Sequence, residues 1–425
     1  MKILIIGGGG REHAIAWKLS QSALAKKIFA IPGNPGMAQI AERVAIKIDD
    51  ISAILNFAIK ENIDLTVVGP ELPLSLGICD EFHKKGLKIF GPSQKASRIE
   101  SSKAFSKQLM VKYRIPTAFS ETFSSAEKAK EYILKLKKPL VIKADGLAAG
   151  KGVVIAQTNQ EALLTIDSFM SQKTLGEAGN SILIEEFLEG EEISFLVITD
   201  GKTVLPLAVA QDYKKIGEGD RGLNTGGMGA YSPVSIVSKE LSNEILNQIM
   251  IPVVRAMQIE GNPFTGFLFG GLILTQNGIK VLEFNARLGD PETQVILTRL
   301  DSDLVDVLQK GVDGQLDQVQ LKWHDNAAVC VVIASEGYPS TTSPKVPISG
   351  LQNIDPLRDH CLVLHAGTER IGESVMAVSG RVLGVTAWGK SIQEARTIAY
   401  QAISKIQFQG MQYRKDIGLK ALIRN

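Results

Sequence analysis

Cysteine is scarce in this chain. The three present in 425 residues, Cys79, Cys330 and Cys361, are odd in number, far apart and without metal-ligand spacing, which argues against a disulfide framework or a cysteine metal centre. Buried thiols in a reducing compartment are expected instead. Long apolar runs are missing too, since none approaches the ~20 residues of a membrane-crossing helix. The opening Met1-Lys2-Ile3-Leu4-Ile5-Ile6 meets four glycines and Arg11-Glu12 too soon for a secretory signal core, so a cytoplasmic protein is expected. Charge of one sign is lacking as well, with 47 Lys and Arg against 45 Asp and Glu and a net charge of +2. That argues against nucleic acid or a membrane surface as partner, while a phosphate ligand needs only a local basic pocket. No internal repeat is present.

What is present, 44% hydrophobic and 22% charged residues, describes a globular chain with ample core, long enough for about three domains. Residues 2–6 are a continuous apolar run of the buried parallel-strand kind, followed by Gly7-Gly8-Gly9-Gly10 and an amphipathic segment over 12–21. Further apolar runs at 28–31, 65–68 and 87–90 alternate with helical segments near 51–60 and 76–85. This predicts a doubly wound parallel sheet over the first hundred residues. A glycine loop opening a helix is an anion cradle. The dinucleotide fingerprint fails, because Glu12 or His13 takes the third glycine position and no acidic residue ends the second strand, where Ala30-Ile31-Pro32-Gly33-Asn34 stands. The loops carrying Asn34 and Gly69-Pro70-Glu71 leave strand ends on what should be the same carboxyl edge, where open α/β sheets bind ligands.

A helical stretch over 102–110 and an exposed helix around 126–137 precede a buried strand at 140–143. Lys143-Ala144-Asp145-Gly146-Leu147-Ala148-Ala149-Gly150-Lys151-Gly152 joins that strand to another at 153–155. Small residues let backbone amides approach a polyphosphate while lysines neutralise it. The Walker pattern is absent, since Gly152 follows Lys151, and a glycine loop between two strands reads as a lid-like hairpin. The strand at 181–188 ends in an acidic pair. A linker there would offer backbone groups to an adenine edge and Glu192 to a ribose. Asp212 then leads into a polar glycine loop, 217–229, whose length without structure of its own points to function. A helix over 239–260 and a strand over 267–274 follow.

The stretch Ile279-Lys280-Val281-Leu282-Glu283-Phe284-Asn285-Ala286-Arg287-Leu288-Gly289-Asp290-Pro291 reads as a strand that turns sharply. Strand alternation puts Val281, Glu283 and Asn285 on one face and Leu282 and Phe284 in a core. A carboxylate and an amide oxygen side by side suit a hard cation that takes the rest of its shell from water and substrate phosphates. Arg287 is a fork-shaped donor for carboxylate or phosphate. An ordinary strand followed by a helix, with Asp290 as N-cap and Pro291 at the first position, fits the stretch equally well. After Gly314 the pattern predicts a compact α+β unit with strands at 327–334, 361–366 and 381–387 and a helix over 392–406. His365, Lys345 and Arg381 there read as surface or satisfied core residues.

Four motifs in order carry a resemblance: Gly7-Gly8-Gly9-Gly10-Arg11-Glu12-His13, the Lys143 to Val153 segment, Asn224-Thr225-Gly226-Gly227-Met228-Gly229-Ala230-Tyr231, and Arg287-Leu288-Gly289-Asp290-Pro291-Glu292. With them the sequence resembles, from end to end, the phosphoribosylamine-glycine ligase (glycinamide ribonucleotide synthetase) family. The resemblance implies an ATP-grasp fold with an amino-terminal Rossmann-like unit (1–102), an ATP-grasp region (103–314, its lid about 120–190) and a small carboxyl-terminal α+β unit (326–425). It also implies ATP, glycine and 5-phosphoribosylamine as substrates, with Mg²⁺ or Mn²⁺, in a monomer or weak dimer of the cytoplasm. ATP would be held by Lys103, Lys143, Gly146, Gly150, Lys151 and Gly152, and its nucleoside by Glu185, Phe187 and Glu192. Glu283 and Asn285 would hold the metal. Gly8, Gly9, Gly10, Asn34, Glu71, Asp212, Asn224, Thr225, Gly226, Gly227 and Arg287 would face the other substrates, with Arg287, Lys143 and Asp290 acting in catalysis. Gly8, Tyr213 and Leu223 stand where the family often has Asn, His and Pro. Competing readings are a nicotinamide oxidoreductase, against which the broken fingerprint speaks, a nucleotide sensor on a dead scaffold, and a related ligase with another acceptor.

Overall fold

The computed structural model describes residues 1–136, 139–148 and 151–423. Its first sheet follows the apolar runs: strands Glu42–Arg43, Lys27–Pro32, Lys2–Gly7, Leu65–Val68 and Ile89–Phe90 lie side by side in that order, all parallel. Lys2–Gly7 is central and covered on both faces, so Leu4 and Ile6 enter one core and Ile3 and Ile5 another. The helix expected near 76–85 is two pieces, Glu71–Ser75 and Ile78–Lys84, broken by Gly77 at φ +85°. A helix not anticipated, Gln94–Ser101, precedes Lys103–Lys112; Ser93 and Ser102 cap the two by accepting from the N–H groups of Ala96 and Phe105.

Two antiparallel four-stranded sheets form the middle of the chain. One contains Val204–Pro206, Glu191–Asp200, Thr265–Thr275 and Gly278–Asn285; the other contains Ser120–Phe123, Ile182–Glu186, Leu140–Ala144 and Val153–Ala156. The second has a core of its own, including Ile133, Ile142, Phe169 and Ile184, that draws on no described residue outside 123–184. The first shares both of its cores with the amino-terminal sheet. The two antiparallel sheets meet at the strand Gly278–Asn285: Lys280 pairs with Glu186 (3.3 Å), and just before the second sheet the Pro116 carbonyl accepts from the Val281 N–H (2.8 Å) while Thr117 bridges to Val281.

The fourth large sheet runs Gln211–Asp212, Gly229–Ser232, Ala327–Ala334, Arg381–Gly389, Cys361–His365. Its last three strands match the sequence pattern, and two strands from the middle of the chain extend it. The loop expected over 217–229 is partly paired, as a hairpin of Lys215–Gly217 with Arg221–Asn224. Its glycines hid it from a period-two reading, while Gly219 (φ +66°) and Asp220 (φ +55°) form the left-handed turn. Arg414, fully buried, pins the hairpin by donating to the Lys215 carbonyl (2.9 Å) and pairing with Asp220 (2.9 Å) and Asp416 (2.6 Å). No helix among the described residues is long and apolar enough to cross a membrane.

Candidate active site

The strand Gly278–Asn285 departs from simple alternation. Opposite it, Gly271 faces Glu283 and Leu272 faces Val281, so Leu282 is an extra, bulged residue. The bulge shifts the phase: Ile279, Val281, Phe284 and Ala286 all enter one core, and Val281 does not share a face with Glu283 as alternation predicted. Glu283 is half-buried and Asn285 buried. The freed Leu282 carbonyl accepts from the Lys143 ammonium at 2.8 Å.

Lysines converge on this strand. Burial alone would raise the Glu283 pKa, but Lys103, Lys214, Lys143 and Arg287 outweigh it and hold the carboxyl at about 2. Lys103 opens the helix Lys103–Lys112. Asp145, at the start of the glycine loop, accepts from Ser102 Oγ (3.0 Å) and the Ala104 N–H (2.9 Å), so the loop and that helix are tied together. Lys143 and Glu185 are buried and paired at 2.8 Å, with Lys107 on the other oxygen at 3.1 Å. Lys107 also donates to Thr117 Oγ1 (2.7 Å) and the Ala118 carbonyl (3.2 Å). Sequence reading passed over Lys107, although it lies four residues after Lys103 on one helix face. A slot of about 10 Å³ lies among Lys103, Ser106, Lys107, Lys143, Glu185 and Glu283.

Arg287 joins this cluster to the carboxyl edge of the first sheet. It pairs with Glu100 (2.9 Å) and Glu71 (3.4 Å) and donates to Asn285 Oδ1 (3.4 Å). Burial favours a protonated Glu71, yet Arg287 and Arg11 prevail and keep its pKa low. In the glycine loop the Gly9 N–H donates to Glu12 (2.6 Å), and Glu12 pairs with Arg11 (2.6 Å). A Cβ on Gly8 would sit 2.7 Å from the Gly33 carbonyl oxygen, and one on Gly10 would sit 2.8 Å from Gln294 Nε2. Asn34 is buried; its amide donates to the carbonyls of Gly8 (3.0 Å) and His365 (2.8 Å) and accepts from the Met37 N–H (3.1 Å), so it tethers the loop. A cavity of about 480 Å³ opens here, lined by Gly7, Gly8, Gly9, Glu12, Pro32, Lys47, Ile48, Asp49, Pro70 and Leu72.

Asp290 does not cap the helix Glu292–Leu297, whose N-cap is Pro291. Its carboxylate accepts from Gln294 (2.7 Å) and pairs with Arg381 (3.1 Å), which overcomes burial and lowers its pKa. Arg381 is therefore more than surface or core filler, since it reaches the site from the last sheet; His365 is a satisfied core residue as expected, buried with its ring bonded to Thr368 (3.1 Å), and Lys345 lies on the surface, paired with Glu369. Thr225 donates to the Lys214 carbonyl through both its N–H and its hydroxyl (2.8 Å each). Lys214 pairs with Glu192 (2.6 Å). Asp212 is pushed up to about 7 by burial, which Lys214 opposes and Glu292 and Glu192 reinforce. Phe187 follows the strand Ile182–Glu186, half-buried. Gly146 packs against Ala178 and Gly152 against Ala148, Lys151 is exposed, and Gly150 lies outside the described residues. Among the described residues no group of three or more His, Cys, Asp or Glu is placed to hold a metal ion. Glu283 and Asn285 supply two hard oxygens, a set that fits a divalent ion completed by substrate phosphates and water.

A separately packed antiparallel sheet, beside a second sheet that carries a carboxylate and an amide ringed by lysines, defines an ATP-grasp protein. Family models described as the phosphoribosylglycinamide synthetase N domain, ATP-grasp (A) domain and C domain match residues 1–100, 101–293 and 328–420. The chain therefore belongs to the phosphoribosylglycinamide synthetase family. It is 46% identical to a phosphoribosylamine-glycine ligase of Vibrio vulnificus, over 100% of this chain and 99% of that one. It is 48% identical to one of Halalkalibacterium halodurans, over 99% and 97% respectively. The crystal structure of phosphoribosylamine-glycine ligase from Thermotoga maritima superposes with a TM-score of 0.86 at 31% identity, covering 98% of this chain and 100% of that one. A biotin carboxylase of Campylobacter jejuni shares the fold alone, with a TM-score of 0.74 at 17% identity over 100% of this chain and 95% of that one. The resemblance read from four motifs holds along the whole chain.

Proposed function

We propose that this protein joins glycine to 5-phosphoribosylamine, cleaving ATP to ADP and phosphate and giving glycinamide ribonucleotide for purine biosynthesis. The observation that carries this reading is the convergence of Lys103, Lys143, Lys214 and Arg287 on Glu283, in a chain that matches its family end to end. Glycine's carboxylate is a poor electrophile because it is anionic and its oxygen leaves badly. Phosphorylation by ATP cures both faults, and the amine of phosphoribosylamine then attacks the glycyl phosphate. Bringing a carboxylate to a triphosphate opposes like charges, each unit pair at ~4 Å costing about 4 kcal/mol at an effective dielectric near 20. Lys143 and Arg287 offset that repulsion and hold the reacting oxygens.

Glu283 and Asn285 would hold Mg²⁺ or Mn²⁺, which supplies further positive charge to the phosphates when bound. The anchored amides of the glycine loop 7–10 and of loop 224–227 would orient the acceptor and glycine, with Asp212 and Glu71 nearby. An acyl phosphate is destroyed by water, so closure of the lid, about 120–190, belongs to the cycle. The division into 1–102, 103–314 and 326–425 is part of the proposal, supported by the lid's separate core, with Gln211–Asp212 and Gly229–Ser232 lent to the last sheet. A monomer or weak dimer acting in the cytoplasm, without nucleic acid or membrane as partner, is part of the same proposal. ADP release measured with glycine alone, phosphoribosylamine alone and both together tests the reading. Full turnover should need both; equal turnover without either one overturns it.

A further inference from the structure

Two residues of the carboxyl-terminal part hold Gly226 of loop 224–227 through the peptide groups on either side of it. The Gly226 N–H donates to the Tyr338 hydroxyl at 2.9 Å, and the Gly226 carbonyl accepts from Arg381 Nη1 at 2.7 Å. That same nitrogen donates to the Asp290 carbonyl at 2.6 Å, while Nη2 pairs with the Asp290 carboxylate at 3.1 Å. Tyr338 is itself held, since its carbonyl and that of Ser335 accept from Gln412 Nε2 at 3.2 and 2.7 Å. The two loops also touch directly: Gly227 sits at φ +113°, and a Cβ there would lie 2.5 Å from Pro291 Cδ. Loop 224–227 and the turn at 290–291 are thus fastened to each other and to the carboxyl-terminal part of the chain.

We propose that Arg381 and Tyr338 are positioning residues for the ligation. They act through Gly226 and Asp290, fixing the loop and the turn in one relative placement so that the substrates they face meet in register. A planar guanidinium suits this role because one rigid fork reaches the Gly226 carbonyl, the Asp290 carbonyl and the Asp290 carboxylate together. An ammonium is a point charge and serves such a spread of acceptors poorly. Misplacement by about 1 Å at a reacting centre costs on the order of 100-fold in rate, which sets the scale of the effect.

This inference rests on the function proposed above, and the test separates the two. Arg381→Ala, Arg381→Lys and Tyr338→Phe are compared with the wild type in steady-state assays that vary glycine, phosphoribosylamine and ATP in turn, and by amide hydrogen exchange of the peptide spanning 224–228. Arg381→Ala should lower kcat/KM for glycine or phosphoribosylamine about 100-fold, with Arg381→Lys recovering little. Tyr338→Phe, which removes one neutral acceptor, should lose about fivefold. The KM for ATP should stay within about twofold throughout, and 224–228 should exchange faster in all three variants. Unchanged exchange in Arg381→Ala, or a KM for ATP that rises in step with the others, overturns the positioning role. A wild type that turns over with another acceptor overturns the proposed function instead, and the exchange data then judge the clamp alone.

Discussion

Glu185 is the counter-charge to two buried ammonium groups, and replacing it by Gln gives the sharpest check on how the site is held together. Lys143 at 2.8 Å and Lys107 at 3.1 Å each gain a gross attraction of about 5 to 6 kcal/mol at an effective dielectric near 20. Much of that repays desolvation, since all three side chains are at most 7% exposed. The useful quantity is the loss when one partner of a buried network goes, about 3 to 5 kcal/mol. Gln keeps the shape and one acceptor oxygen, so the change isolates charge. Urea unfolding at pH 7 should show Glu185→Gln destabilised by about 3 to 5 kcal/mol. Lys107→Met should cost less in that background than alone, because its partner is already neutral. If ATP phosphates take over the charge on Lys143, saturating nucleotide should recover part of the loss by linkage. An unfolding free energy for Glu185→Gln within about 1 kcal/mol of wild type would refute the reasoning, because the network would then be a geometric coincidence.

Glu283→Gln should leave the fold intact and remove most ligase turnover; wild-type-like rates at saturating magnesium would take Glu283 out of the metal site. His13 and His365 are held neutral, burial pushing them down to about 3 and about 4 from 6.5. A folded pKa below the unfolded one means this stability is complete above pH 6.5 and is lost as pH falls towards 3, at up to about 1.4 kcal/mol per pH unit for each group. Melting temperatures from pH 7 to pH 5 should therefore fall, and fall less in His13→Gln; parallel curves would count against it. Gly36→Ala would place a Cβ 2.4 Å from His13 Cε1 and 2.5 Å from His365 Cδ2, so a loss of about 1 to 3 kcal/mol is expected in chemical unfolding.

The parts of the molecule legible in the sequence are those set by local pattern. Leu65–Val68 and Ala327–Ala334 were readable to the residue because a fully buried strand is an unbroken apolar run with few alternatives. Motif chemistry picked out Glu283, Lys143 and Arg287, which the fold brings together. What escaped depends on partners distant in sequence. The bulge at Leu282 is set by pairing with Gly271 and Leu272, which no reading of one strand includes. The hairpin over 215–224 owes its order to Arg414, nearly two hundred residues on. Lys107 has no local signal of its pairing with Glu185, which lies 78 residues on, and Arg381 and Tyr338 carry none of reaching a glycine loop.

The sheet that ends the chain is not an appendix. Gly229–Ser232 lies between Gln211–Asp212 and Ala327–Ala334, with residues 229–232 facing 328–331. A truncated version stopping near residue 314 would strip that strand of its neighbour and present an unzipped ladder of backbone groups to solvent. Such a fragment should clump rather than survive as a smaller enzyme, and gene fusions that insert a passenger between residues 314 and 326 must let the tail thread back before the catalytic half can finish folding.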